Sequence, residues 1–152
     1  MVETEQTATL KSQARMELSK HLEYRRSIDA LMRLSEFELE RVERMSRMFD
    51  SVSVQKQPNP KAGEDMLIEA IDRKHNLQIE AQEYENKCIE IENKIMQLDE
   101  KNHVVMLLRV YVFRQSVENA AREMHYSKRH AWRLYNDALL AYGEKMACFG
   151  TK

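Results

Sequence analysis

The chain has 152 residues, 43% of them apolar and 32% charged, with only 3 Gly and 2 Pro, which suits one or two small domains built of long, solvated helices. Its net charge of −1 is unevenly spread: residues 101–152 hold nine basic and four acidic side chains, a local +5, so the first 100 residues carry −6. Two distant cysteines (Cys88 and Cys148), a polar start VETEQTATLK and no apolar run near the ~20 residues that span a bilayer exclude a disulfide scaffold, a secretory leader and a membrane partner, and a cytoplasmic protein is expected.

Residues 1–10 are expected to fray. From Lys11 to Phe49 the chain reads as one long helix, with Leu18, Leu22, Tyr24, Ile28, Leu31, Val42, Met45 and Phe49 recurring mostly at three- and four-residue steps. Leu34 and Phe37 broaden this stripe, while Ser35 and Glu38 fall inside it. Ser51–Gly63, SVSVQKQPNPKAG, is the one clear loop, because Pro58, Pro60 and Gly63 break a helix. Its Lys56 and Lys61 could meet a phosphate or a polymerase surface, though a plain connection is the simpler reading.

A second long helix is expected over 64–98, where Leu77, Tyr84, Cys88, Ile91, Ile95 and Leu98 keep a seven-residue repeat. A helix polar on its other faces needs a partner: the first long helix in an antiparallel hairpin, a second subunit, or both. Cys88 lies in that repeat and reads as a small buried residue. Asp99 is placed to cap a helix over His103–Phe113, whose Val104, Leu107, Leu108 and Tyr111 would pack beneath the C-terminal pair of helices. The end, from Lys145 to Lys152, is expected to fray.

The stretch Ser116–Tyr142, SVENAAREMHYSKRHAWRLYNDALLAY, reads as two helices joined by a tight turn. Ser116 is placed to cap the first, with Glu118 in its first turn and Ala120, Ala121 and Met124 on its buried face. His125 is expected in the left-handed region, and Ser127 to cap the second helix. Ala131, Leu134, Tyr135, Ala138 and Tyr142 define that helix's inner side, and Arg129, Trp132, Arg133 and Asn136 its outer side. A short helix, a tight turn and a second helix with a basic outer face form the arrangement that docks into a DNA major groove.

VVMLLRVYVF at 104–113, SVENAAREM at 116–124 and YSKRHAWRLYNDALLAY at 126–142 resemble, in order and spacing, region 4 of bacterial sigma factors, and more closely the ArpU/RinA-type phage late transcription regulators. The likeness covers roughly the last third of the chain. This chain has Arg114–Gln115 where the family often has glycine, and Val110 where its relatives carry arginine. The resemblance implies an all-α fold: a long, coiled-coil-like antiparallel hairpin (11–98, with the 51–63 loop) followed by a sigma region 4-like helix-turn-helix bundle (99–146). It also maps Lys128, Arg129, Trp132 and Arg133 onto base- and phosphate-contacting positions.

The candidate DNA-binding residues are thus Ser116, Ser127, Lys128, Arg129, Trp132, Arg133 and Asn136. Arginine suits guanine, asparagine suits adenine, and a lysine near a helix start suits phosphate. The plainer alternatives are a solvated face for the arginines, core packing for the tryptophan and capping alone for Ser116. The five histidines, expected at surface, turn and helix-face positions, show no metal-ligand spacing with Cys, Asp or Glu, and no nucleotide-binding or nucleophile motif is present. No cofactor and no enzymatic activity are expected. The expected function is a sequence-specific transcription regulator of phage or prophage late genes. It would act on double-stranded DNA in the nucleoid of a bacterial host, with RNA polymerase as a further partner and a homodimer through the long helices. The alternatives are a packaging adaptor resembling a small terminase subunit, or a sigma-like module that binds polymerase without DNA.

Overall fold

The computed structural model describes residues 2–52 and 60–150, and among them every regular element is helical. The order is α1 (Val2–Val52), α2 (Pro60–Met96), α3 (Lys101–Leu107), a π-helical turn (Leu108–Val112) that continues α3, α4 (Val117–Glu123) and α5 (Lys128–Gly150). The loop expected over 51–63 loses residues at both ends, since Ser51 and Val52 complete α1 and Pro60–Gly63 open α2. Pro60 stands at the first helical position, where its missing N–H leaves no intrahelical bond unmade. The rest of that loop, including Lys56, lies outside the described residues.

The chain divides into two compact units, Met1–Tyr24 with Lys87–Lys152, and Arg25–Asn86. The division therefore runs through both long helices.

In the first unit, Ala14 and Leu18 of α1, Ile91 and Ile95 of α2, Met106 and Leu107 of α3, Val117, Ala120 and Ala121 of α4, and Ala131, Leu134, Tyr135, Ala138, Leu139 and Tyr142 of α5 form one buried cluster. Residues 2–10, expected to fray, continue α1 as helix, and at Leu10 that helix meets α5. Gly143 of α5 lets α1 approach so closely that a Cβ there would lie 2.7 Å from the Leu10 carbonyl oxygen. Glu17 ties the elements together, accepting from Lys94 Nζ at 2.9 Å and from the Tyr142 hydroxyl at 3.4 Å. His21 is buried, not at the surface: its Nε2 lies 2.9 Å from Glu92 Oε1 and its Nδ1 has no partner. Burial, with the Glu17 carboxylate beside it, pushes the Tyr142 phenol well above its usual range. Cys88 is fully buried, with its thiol 3.9 Å from the His21 carbonyl oxygen.

Within the end expected to fray, α5 continues to Gly150 and Lys145 is held, donating to the Gln97 carbonyl and lying 3.7 Å from Asp99 Oδ1, while residues 151–152 lie outside the described residues. Asp99 accordingly does not cap α3; the N-cap residue is Glu100, whose side chain makes no capping bond.

The second unit pairs α1 with α2 in opposite directions, as the partners Arg25–Glu85 and Glu38–Arg73 require. Its seam follows a heptad on both helices: Ile28, Leu31, Ser35, Glu38, Val42 and Met45 on α1, with Leu67, Ala70, Lys74, Leu77, Ala81 and Tyr84 on α2. Ser35 and Glu38 are buried there, whereas Leu34 and Phe37 turn outward at 47% and 53% exposure. The apolar stripe read from the sequence is therefore split, with its polar members in the seam and two of its largest outside.

Candidate nucleic-acid interface

Both serines placed as caps serve as caps. Ser116 is extended (φ −69°, ψ 156°) and its Oγ accepts from Asn119 N at 3.1 Å. Ser127 Oγ accepts from His130 N at 3.2 Å, satisfying one of the free N–H groups at the start of α5. In both, the hydroxyl proton is still free to be donated, for instance to a phosphate oxygen. Between α4 and α5 the chain reverses through His125, at φ 61°, and the Tyr126 N–H donates back to the Ala121 carbonyl at 2.9 Å. Tyr126 packs edge-on against His130, with ring centroids 4.6 Å apart, and so braces the turn.

Ala131, Leu134, Tyr135 and Ala138 face the core, so helical geometry carries the residues between them outward. Lys128, Arg129 and Arg133 are exposed, and none makes an ion pair or side-chain hydrogen bond among the described residues. Trp132 is 45% exposed and rests edge-on against Tyr135, 5.7 Å between centroids, which holds the indole in place without burying it. Arg129, Trp132, Arg133 and Asn136 share an arc of about 100° on α5. Within it Asn136 is half-buried and turned back on its own helix, its amide donating to the Trp132 carbonyl at 2.9 Å, which leaves its side-chain oxygen uncommitted. Ser116 stands apart from this group, at the start of α4.

The ground beneath α5 is braced by polar contacts that the sequence did not announce. Tyr111 and Tyr135 share a hydroxyl–hydroxyl hydrogen bond of 2.7 Å with their rings stacked, and burial together with that bond pushes the Tyr111 phenol well above its usual range. Arg109, reaching from the π-helical turn, binds Glu123 at the end of α4, and Gln115 Nε2 donates to the same carboxylate at 3.1 Å. Arg114, in the position where glycine was expected, takes the left-handed conformation glycine would favour, at φ 60°.

No protein-family model, curated protein or solved structure matches the chain.

The Arg109–Glu123 pair has an electrostatic consequence. It engages the acid nearest the turn, leaving Glu118, one turn before Arg122, and Asp137, one turn after Arg133, as the acids beside the remaining cations. Two of these cations, Arg114 and Arg122, are not among the candidate DNA-binding residues read from the sequence; both are exposed and free of ion pairs among the described residues. The basic excess of the last third was the only signal for them. Among the described residues no group of three or more His, Cys, Asp or Glu side chains could hold a metal ion, and no helix is long and apolar enough to cross a membrane.

Proposed function

We propose that this chain is a sequence-specific transcription regulator that reads double-stranded DNA with a helix-turn-helix made of α4, the His125 turn and α5. The observation that carries the reading is the outward, unpaired set Lys128, Arg129 and Arg133 beside a half-exposed Trp132, on a helix whose opposite side is core. Two α-helices capped by serines and separated by a left-handed residue suit entry of the second into a major groove. In this reading Arg129 and Arg133 reach guanine edges, Lys128, Arg122 and the two serine hydroxyls hold phosphates, and Trp132 offers an apolar edge to a thymine methyl.

The α1–α2 hairpin ahead of it supplies the surface for a second subunit or for RNA polymerase. The resemblance to ArpU/RinA-type regulators and sigma region 4 gives the setting: late-gene promoters of a phage or prophage, in the cytoplasm of a bacterial host and on the nucleoid when bound. The chain carries no catalytic role. Free cations on the outer face of α5 favour DNA over a module that binds only polymerase, since contact with phosphate requires them.

Selection of bound fragments from random duplex DNA, followed by titration of the full chain on the selected site at several salt concentrations, tests the assignment. Arg133→Ala should cost about 1–3 kcal/mol on that site and relax its specificity, while Lys128→Ala should weaken all duplexes alike and lower the salt slope by about one. Equal and negligible losses for the two variants would remove α5 as the reading helix.

A further inference from the structure

The unit formed by Arg25–Asn86 has a thin apolar seam. Among its described residues, the only large apolar side chain buried in the seam is Ile28, at 9% exposure; the other buried positions are Ser35, Glu38, Gly63, Ala70 and Ala81. Nine large hydrophobic residues of the same unit stay exposed. The apolar area that this seam buries is small for a helix pair in water.

The exposed residues are not scattered. On α2, Ile68, Ile71, His75, Ile79, Gln82 and Asn86 follow one another at three- and four-residue steps, within an arc of about 80° centred about 130° from the seam. From Ile68 to Asn86 no charged residue falls in that arc, although acids and bases crowd the rest of the helix. Gln82 Nε2 and Asn86 Oδ1 bond to each other at 3.1 Å, so part of the stripe's polar demand is met within it. The Arg25–Glu85 ion pair, bonded through both guanidinium nitrogens at 2.9 and 3.2 Å, marks which flank of α1 adjoins this side of α2. By heptad position that flank carries Met32 and Leu39.

We infer that this flank, Met32 and Leu39 of α1 with Ile68, Ile71 and Ile79 of α2, is the face on which a second copy of the chain packs. These five side chains are between 39% and 55% exposed. Together they offer roughly 400 Å² of apolar surface, the scale at which a patch marks an interaction site. That is about half of the roughly 800 Å² per partner of a stable complex, so polar residues around the stripe must contribute the rest. The occupant is a second copy because the stripe holds no charged residue from Ile68 to Asn86, so two identical faces can meet without like-charge repulsion, and the chain itself is always present in equal amount. Leu34, Phe37 and Met48 lie on the other flank of α1 and serve as controls. This face and the DNA-reading helix rest on different residues, so neither assignment depends on the other.

Sedimentation velocity of the full chain should give twice the chain mass. Ile71→Glu with Ile79→Glu should halve that mass, while Phe37→Glu should leave it unchanged. Should the double variant unfold, a Cys148→Ser background carrying Ile71→Cys should form a covalent dimer with a short bis-maleimide, and one carrying Phe37→Cys should not. A chain that stays monomeric at its highest soluble concentration overturns the inference. So does an assembly larger than two copies, a dimer indifferent to Ile71→Glu and Ile79→Glu, or cross-linking through position 37 but not 71. Arg133→Ala should leave the mass unchanged, so failure here and failure of the DNA assignment are read separately.

Discussion

Replacing Gly143 with alanine should destabilise the protein, although the same change in an ordinary helix interior stabilises by about 1 kcal/mol. Gly143 lies inside α5, and an added Cβ would stand 2.7 Å from the Leu10 carbonyl oxygen, 3.0 Å from the Leu10 carbonyl carbon and 3.1 Å from its Cβ. The nearest atoms belong to the backbone of α1, which cannot rotate away as a side-chain tip can. Either α1 moves off α5 or the contact stays compressed, and overpacking of this kind typically costs about 1–3 kcal/mol. Set against the helix-propensity gain, the net expectation is a loss of about 1–2 kcal/mol.

Urea denaturation of the full chain measures it, and amide hydrogen exchange locates it. Amides in the first turns of α1 should exchange faster in the variant, while those of α4 change little. A Gly143→Ala protein as stable as the parent, or more so, with unchanged exchange near Leu10, would refute the close approach of α1 and restore a frayed N-terminus.

Three further expectations rest on single contacts. Arg114→Gly should raise stability by up to about 1 kcal/mol, because it relieves a left-handed non-glycine residue, and any accompanying loss of duplex affinity would show that the guanidinium meets phosphate. Tyr111→Phe should cost about 1 kcal/mol near neutral pH by leaving the Tyr135 hydroxyl without its partner, read by the shift in urea midpoint. The Tyr111 phenol is held above its unfolded value, so its contribution is complete below pH about 10 and declines as pH rises beyond it, where the unfolded chain ionises and the native one does not. Stability should therefore fall with pH above that point, and less steeply in Tyr111→Phe; an unchanged slope would argue against a protonated, buried hydroxyl pair.

Much of the local structure could be read from residue order alone. The caps at Ser116 and Ser127, the left-handed His125 and the outward set Lys128, Arg129 and Arg133 all arise from groups within about one helical turn of each other. Periodicity also identified the heptad of α2 and the burial of Cys88. It could not choose between competing apolar stripes on α1. Ser35 and Glu38 lie in the seam as their spacing predicts, but Leu34 and Phe37, read as broadening the stripe, stay out, because the winning face is the one that the partner helix can reach. Asn136 shows the same limit at the candidate site: its type suggested base contact, yet its amide is turned onto the Trp132 carbonyl.

Residue order by itself determined the helical character of the chain, the ends of its short helices and the side of α5 on which its cations stand, since hydrogen bonds and the 3.6-residue repeat act over a few neighbours. Tertiary structure decided the rest: the order of α1 against Gly143, the Arg109–Glu123 brace, the Tyr111–Tyr135 pair and the exposed isoleucine flank of α2. Each depends on which surfaces meet when distant segments pack, and close packing admits a contact only where shape on both sides allows it.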